Sequence, residues 1–155
     1  MRQPENVHIY LYRRTREGPY EYAIFQRSDN PAYWQGISGG VEEGETAEQA
    51  ARREALEEAG ITDAAPLYRL DTVSYLPANL FAEAERWGKN VVVCPMYSFA
   101  MPYNGDIALS DEHLAMRWLA FEQAHALVYW HDQKTALWEL DQRLKRGNLA
   151  RTEQK

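Results

Sequence analysis

The chain reads as an α/β protein, an α/β/α sandwich of helices around a central mixed β-sheet. Three observations predict it. Runs of β-branched and aromatic residues recur between residues 7 and 119, separated by turn residues. An Ala- and Glu-rich helical segment interrupts them at residues 46–59. A second helical pattern begins at Phe121. Strands that alternate with helices must bury apolar surface against them, which is the layered α/β solution.

The elements follow in order. Val7 to Arg13 and Tyr20 to Arg27 are strand-like, and the polar link Arg14 to Pro19 ends Gly-Pro, as a hairpin connection would. Ser28 to Pro31 is a turn. Tyr33 and Trp34 then lead through a short strand into the glycines Gly39 and Gly40. Leu67 to Leu76 and Asn90 to Met101 form a longer strand pair. Between them the polar excursion PANLFAEAERWGKN is expected as a loop or mobile lid. Leu114 to Leu119 is a last short strand. Beyond Phe121, Ala124, Leu127, Trp138, Leu140 and Leu144 recur at helical spacing as candidate core contacts, giving two sheet-packed helices in all.

Composition narrows the function. At 155 residues the chain is long enough for one cored domain, expected over residues 1–146, with 147–155 a flexible tail. A net charge of −6 argues against grip on a nucleic-acid polymer through its phosphates. It also means that a polyphosphate substrate needs metal ions or local cations to enter. No run reaches the ~20 apolar residues of a membrane span, and the N-terminal stretch lacks the apolar core of a signal peptide. The single cysteine, Cys94, lies in an apolar run and reads as an inert core residue. Cytoplasmic location is the resulting expectation.

The most informative stretch is GGVEEGETAEQAARREALEEAGI, residues 39–61. Thr46 followed by Gln49 is a capping-box arrangement that starts a helix, and Gly60 is suited to end it. Ala47, Ala51, Ala55 and Ala59 form a small-residue stripe that lets the helix lie close to a sheet. Glu54, Glu57 and Glu58 share one helical face within an arc of about 100°. Three like charges so close repel. A hard divalent cation such as Mg²⁺, which takes oxygen ligands and works on phosphates, explains them better than a solvated acidic face. Gly39 and Gly40 allow a tight turn that brings a backbone carbonyl near such a cation. Arg53 is placed to orient one glutamate and offset the repulsion; the alternative is a surface ion pair worth only ~0–1 kcal/mol.

The ordered residues resemble the signature of the Nudix hydrolases, G-x5-E-x7-R-E-U-x-E-E-x-G-U, with U a bulky aliphatic. Gly39, Glu45, Arg53, Glu54, Glu57, Glu58, Gly60 and Ile61 all match; Ala55 alone departs, at a packing position. The resemblance implies the Nudix fold and a hydrolysis in which water attacks phosphorus and a diphosphate bond breaks. It implies Mg²⁺ as cofactor, with Mn²⁺ as a substitute. Glu54 and Glu58 would be direct ligands, Glu57 a further or water-bridged one, and Gly39, Arg53 and Glu45 part of the same centre. The general base varies across this superfamily and stays unassigned. Many members dimerise, so a homodimer is compatible with the chain.

Outside the box, QRSDNPAYWQGISGGVEEGET (residues 26–46) and SDEHLAMRWL (residues 110–119) resemble bacterial dihydroneopterin triphosphate pyrophosphatases. This likeness implies Glu112 as a further metal ligand, against the plainer reading of a turn carboxylate beside Asp111. It implies Arg27 and Ser38 as substrate contacts; Ser38 replaces the usual threonine, and Gly40 stands where some members have serine. Trp34 either stacks on a substrate ring or belongs to the core. Trp130 and His131 fall in a segment comparable to one in those enzymes. Arg86 and Lys89 either reach a phosphate tail or are solvated. The favoured substrate is therefore dihydroneopterin triphosphate, with diphosphate released. The rivals are a housecleaning hydrolase of (deoxy)nucleoside triphosphates and a non-catalytic nucleotide-sensing module, the latter disfavoured because every acidic box residue is kept.

Overall fold

The computed structural model describes residues 1–16, 18–62 and 65–150. Its sheet is organised by one long strand, β1 (Arg2–Arg14). One edge of β1 runs parallel to β6 (Val93–Pro102), from Asn6 opposite Met96 to Tyr12 opposite Pro102. The other edge is divided. Its first part pairs antiparallel with β4 (Ile37–Glu42), and its end pairs with β2 (Tyr20–Arg27). Beyond β1, β2 pairs with the two-residue β3 (Trp34–Gln35) and with β7 (His113–Ala120). The far edge is β5 (Tyr68–Pro77), antiparallel to β6. Among the described residues the sheet has seven strands and is mixed, with β1 and β6 its parallel pair.

Both faces of β1 are covered, which is why Val7 to Leu11 is buried without a break. Val7, Ile9 and Leu11 face α1 (Ala47–Ala59), where Ala50, Ala51, Ala55 and Ala59 are fully buried. Tyr10 and Tyr12 face the opposite layer of α2 (Phe121–Leu127) and α3 (His131–Arg146), with Leu137 and Leu140. The α/β/α arrangement is thus present, with the Ala stripe doing what its spacing predicts.

Several local expectations change. The second helical pattern is two helices, broken at Val128–Trp130 where the backbone turns extended. Trp138 is half exposed rather than core, because Leu137 and Leu140 own the inward face of α3. The excursion at residues 77–90 contains two short 3-10 turns, Ala78–Leu80 and Ala82–Trp87. It is fastened by Trp87 Nε1 donating to the Arg2 carbonyl at 2.8 Å. β1 starts five residues before the strand read from sequence, because Arg2 and Asn6 pair with Glu42 and Gly40. Leu149, in the segment expected as tail, is packed in the second core, while residues 151–155 lie outside the described ones. Cys94 is buried. Among the described residues no helix is long and apolar enough to cross a membrane.

Candidate active site

The box helix begins and ends as its sequence dictates. Thr46 accepts from the Gln49 backbone N–H at 3.1 Å while the Gln49 side chain accepts from the Thr46 N–H at 2.9 Å. Gly60 closes the helix in the left-handed region at φ 72°. This fixes the rotation of α1, so that Glu54 and Glu58, one turn apart, point with the alanines toward the sheet. They are 8% and 3% exposed. Glu57 falls on the outer rim, with most of its carboxylate in solvent. Gly39 on β4 meets this face: a Cβ there would lie 2.1 Å from the Glu54 carboxyl carbon. Any side chain there would force the Glu54 carboxylate to move.

Arg53 is the electrostatic hub. Its guanidinium forks onto Glu45, with Nε 2.7 Å from Oε2 and Nη2 2.9 Å from Oε1. Nη1 reaches Glu54 at 2.8 Å and Glu57 at 3.4 Å, and Nη2 also donates to the Gly40 carbonyl at 2.8 Å. Glu45 is anchored in turn by the Glu42 backbone N–H at 2.8 Å. The Arg53 fork holds Glu45 below the usual carboxylate range and raises the guanidinium itself. Glu54 moves the other way: burial raises it, and its contact with Arg53 only partly offsets this.

Glu58 is the most perturbed acid of the group. Burial first, then Glu112 within hydrogen-bonding reach, push it up to about 10, opposed by a bond from the Ser38 backbone N–H. Among the described residues its Oε2 is buried with no partner. Glu112 comes from the turn before β7, where the His113 N–H bonds the Ser110 carbonyl. The Ser28 N–H in turn holds the Glu112 carbonyl at 2.9 Å. A bulge between β2 and β7 at Gln26–Arg27 shifts the register there, a device that re-aims a strand end at a site. The carboxylates therefore stand as one Arg-held group and one pair, and among the described residues no three of them are arranged to enclose a metal ion.

A helix presenting two buried glutamates to a glycine strand, with an arginine locking a third, is the spatial form of the box. The family model of the NUDIX domain matches residues 2–138. The chain belongs to the Nudix hydrolases. It is 32% identical over 131 residues to the dihydroneopterin triphosphate diphosphatase of Escherichia coli, covering 82% of this chain and 85% of that one. It is 35% identical over 119 residues to the asymmetrical bis(5'-nucleosyl)-tetraphosphatase of Sus scrofa, covering 77% of each. Among solved structures, a NUDIX hydrolase from Listeria monocytogenes superposes with a TM-score of 0.85 at 32% identity, covering 95% of this chain and 98% of that chain. The named hydrolases among these relatives, with the matched domain, make this chain a pyrophosphohydrolase. Nudix hydrolases generally use divalent metals such as Mg²⁺.

Around this Nudix centre the other sequence-predicted residues divide. Arg27 lies opposite His113, one residue from Glu112, and its guanidinium is engaged by both Asp29 oxygens. Ser38 brings its backbone to Glu58, while its hydroxyl accepts from Gln35 Nε2 at 2.8 Å. Trp34 differs from the stacking role considered for it. It is 9% exposed, sits in the second core, and has Arg117 4.7 Å from its ring centroid. The accessible rings near it are Tyr33, Tyr129 and Trp130, with centroids 4.4–4.9 Å apart. Gln35 escaped the sequence reading altogether. Its signal was a polar residue between Trp34 and Gly36 in an otherwise apolar stretch, where burial demands two hydrogen-bond partners.

Proposed function

We propose that this Nudix hydrolase is a cytoplasmic, Mg²⁺-dependent enzyme, with Mn²⁺ able to substitute, that cleaves a nucleotide-like triphosphate. Dihydroneopterin triphosphate is the favoured substrate: water attacks phosphorus, and pterin monophosphate and diphosphate leave. The observation that carries the reading is the Glu58–Glu112 pair: a buried carboxyl, with one oxygen unpartnered among the described residues, in reach of an exposed one. Such a pair requires a shared proton or a cation between its members.

The donor chemistry suits a hard divalent ion, although among the described residues no three carboxylates now enclose one. Glu54, Glu57, Glu58 and Glu112 are oxygen donors grouped beside Gly39, whose missing side chain leaves Glu54 its place, and Gly39 would add its carbonyl. When bound, the ion supplies charge neutralisation on the bridging phosphates and acidifies the attacking water. Arg53 holds Glu54 in one orientation through the fork that Glu45 stabilises. Arg27 offers a guanidinium at the mouth for the phosphate chain, exchanging part of its hold on Asp29. Glu58, raised by burial and by Glu112, would have to give up a proton to serve as a ligand, so metal binding there would release one.

The likeness to the Sus scrofa relative supports a second reading, with dinucleoside polyphosphates as substrates. The test is a panel with Mg²⁺: dihydroneopterin triphosphate, the common and oxidised (deoxy)nucleoside triphosphates, and a dinucleoside tetraphosphate. Highest kcat/KM on the pterin with diphosphate release supports the first reading. Highest kcat/KM on the dinucleotide replaces it with the second, and on a nucleoside triphosphate with a housecleaning role. No turnover on any of them refutes hydrolysis of these substrates and favours a sensing module.

A further inference from the structure

One buried amide joins the acidic centre to the accessible aromatic rings. Gln35 is 4% exposed. Its Nε2 donates to Ser38 Oγ at 2.8 Å, and its Oε1 accepts from the Trp130 indole N–H at 3.2 Å. Ser38 is the residue before Gly39, and its backbone N–H supports Glu58. Trp130 is the residue on which α3 begins, and its ring lies 4.9 Å from both Tyr33 and Tyr129. A second bond parallels the first: the Tyr129 N–H donates to the Trp34 carbonyl at 2.9 Å. The corner of β3 and β4 thus grips the corner between α2 and α3 twice, once through main chain and once through a side chain. The side-chain grip is the one that reaches the glycine strand.

An amide is an unusual choice for this position. Leaving either half of it unsatisfied would carry the full desolvation penalty of a buried polar group, whereas an apolar side chain of the same size carries no such requirement. What the amide adds is direction. It fixes the plane of the Trp130 indole through its one N–H and ties that plane to Ser38. Tyr129 is half exposed and Tyr33 half buried, so the group presents ring surface to solvent rather than filling the core.

We infer that Gln35 is a positioning residue, setting the span from the acidic centre to a ledge of Tyr33, Tyr129 and Trp130 that receives the planar heterocycle of the substrate. The inference deepens the pyrophosphohydrolase reading and rests on it for the identity of the phosphate end. The ledge supplies stacking faces, which accept any flat conjugated ring. It therefore favours ring-bearing triphosphates over inorganic ones without fixing which ring is used.

The test is equilibrium binding, so that it does not depend on turnover. Titration calorimetry with Mg²⁺ compares α,β-methylene guanosine triphosphate, which carries a ring, with inorganic tripolyphosphate, which does not. The wild-type chain is expected to bind the ring-bearing probe about tenfold more tightly or better. Gln35→Leu and Trp130→Phe should each remove most of that advantage, and the double variant should lose little more than either alone. Trp130→Phe keeps an aromatic ring and the helix start, so it carries the test if Gln35→Leu fails to fold. In turnover, the same variants should raise KM for a ring-bearing substrate more than they lower kcat. No ring advantage in the wild type overturns the inference. So does an advantage that survives both substitutions, or a loss equal for both probes. A wild type that binds with a ring advantage but hydrolyses nothing would instead overturn the catalytic reading and leave the ledge standing.

Discussion

Replacing Glu58 by Gln should stabilise the metal-free protein while destroying the enzyme. Glu58 has an ordinary value of 4.5 when unfolded, and the folded site pushes it up to about 10 through burial and Glu112. The folded value lies above the unfolded one, so the protein takes up a proton on folding at neutral pH. That uptake costs nothing below pH 4.5 and about 1.4 kcal/mol for each pH unit above it, until the folded group itself titrates. At pH 7 the cost is about 3 kcal/mol, and it is the same for any folded value above 7. A glutamine of equal size needs no proton and can donate its amide to Glu112. In urea unfolding with a chelator present, Glu58→Gln should therefore exceed the wild type by about 3 kcal/mol at pH 7. The gap should widen by about 1.4 kcal/mol at pH 8. With Mg²⁺ restored, the wild type should gain stability, the variant little, and turnover should fall more than about 100-fold. A variant no more stable than wild type, or a gap that does not change with pH, would refute the argument.

Three further outcomes follow from the same geometry. Gly39→Ala places a Cβ 2.1 Å from the Glu54 carboxyl carbon. It should cost about 1–3 kcal/mol in stability and most of the turnover; a fully active variant would show that Glu54 need not stand there. Glu112→Gln removes the partner of Glu58 and should lower kcat about 10- to 100-fold, whereas unchanged steady-state kinetics would return Glu112 to a turn role. His8 is buried and lowered to about 4, below its unfolded 6.5, by desolvation that a nearby Asp132 only partly offsets. Its contribution is present above pH 6.5 and lost as pH falls toward 4. The wild type should thus lose about 3 kcal/mol over that window relative to His8→Gln; parallel unfolding curves for the two would contradict it.

What the chain disclosed in advance is what depends on local spacing. The capping pair Thr46 and Gln49, the alanine stripe and the i, i+4 glutamates fix α1 by helical geometry alone, and β2 begins and ends where its alternation does. Ile61 and Ala55 reach the core even though Ala55 is smaller than the box asks, because α1 rides so close to the sheet. Features made by distant partners were not legible. Arg2 to Asn6 is polar yet strand, because β4 and β6 supply its ladder. Trp34 is core because Arg117 lies over its ring and the second core takes it in, and Trp138 is exposed because its neighbours took the inward face. Gln35 joins Ser38 to a residue 95 positions away, a pairing that no local pattern announces.

The central claim is metal-dependent cleavage to diphosphate at the Glu54, Glu58 and Glu112 centre. Phosphorus NMR of the purified chain with dihydroneopterin triphosphate, followed first with Mg²⁺ and then with chelator, addresses it most directly. The account predicts one diphosphate for each pterin monophosphate formed, appearing only with the metal and absent in Glu58→Gln. Release of inorganic phosphate as the first product, or equal turnover in chelator, would contradict it.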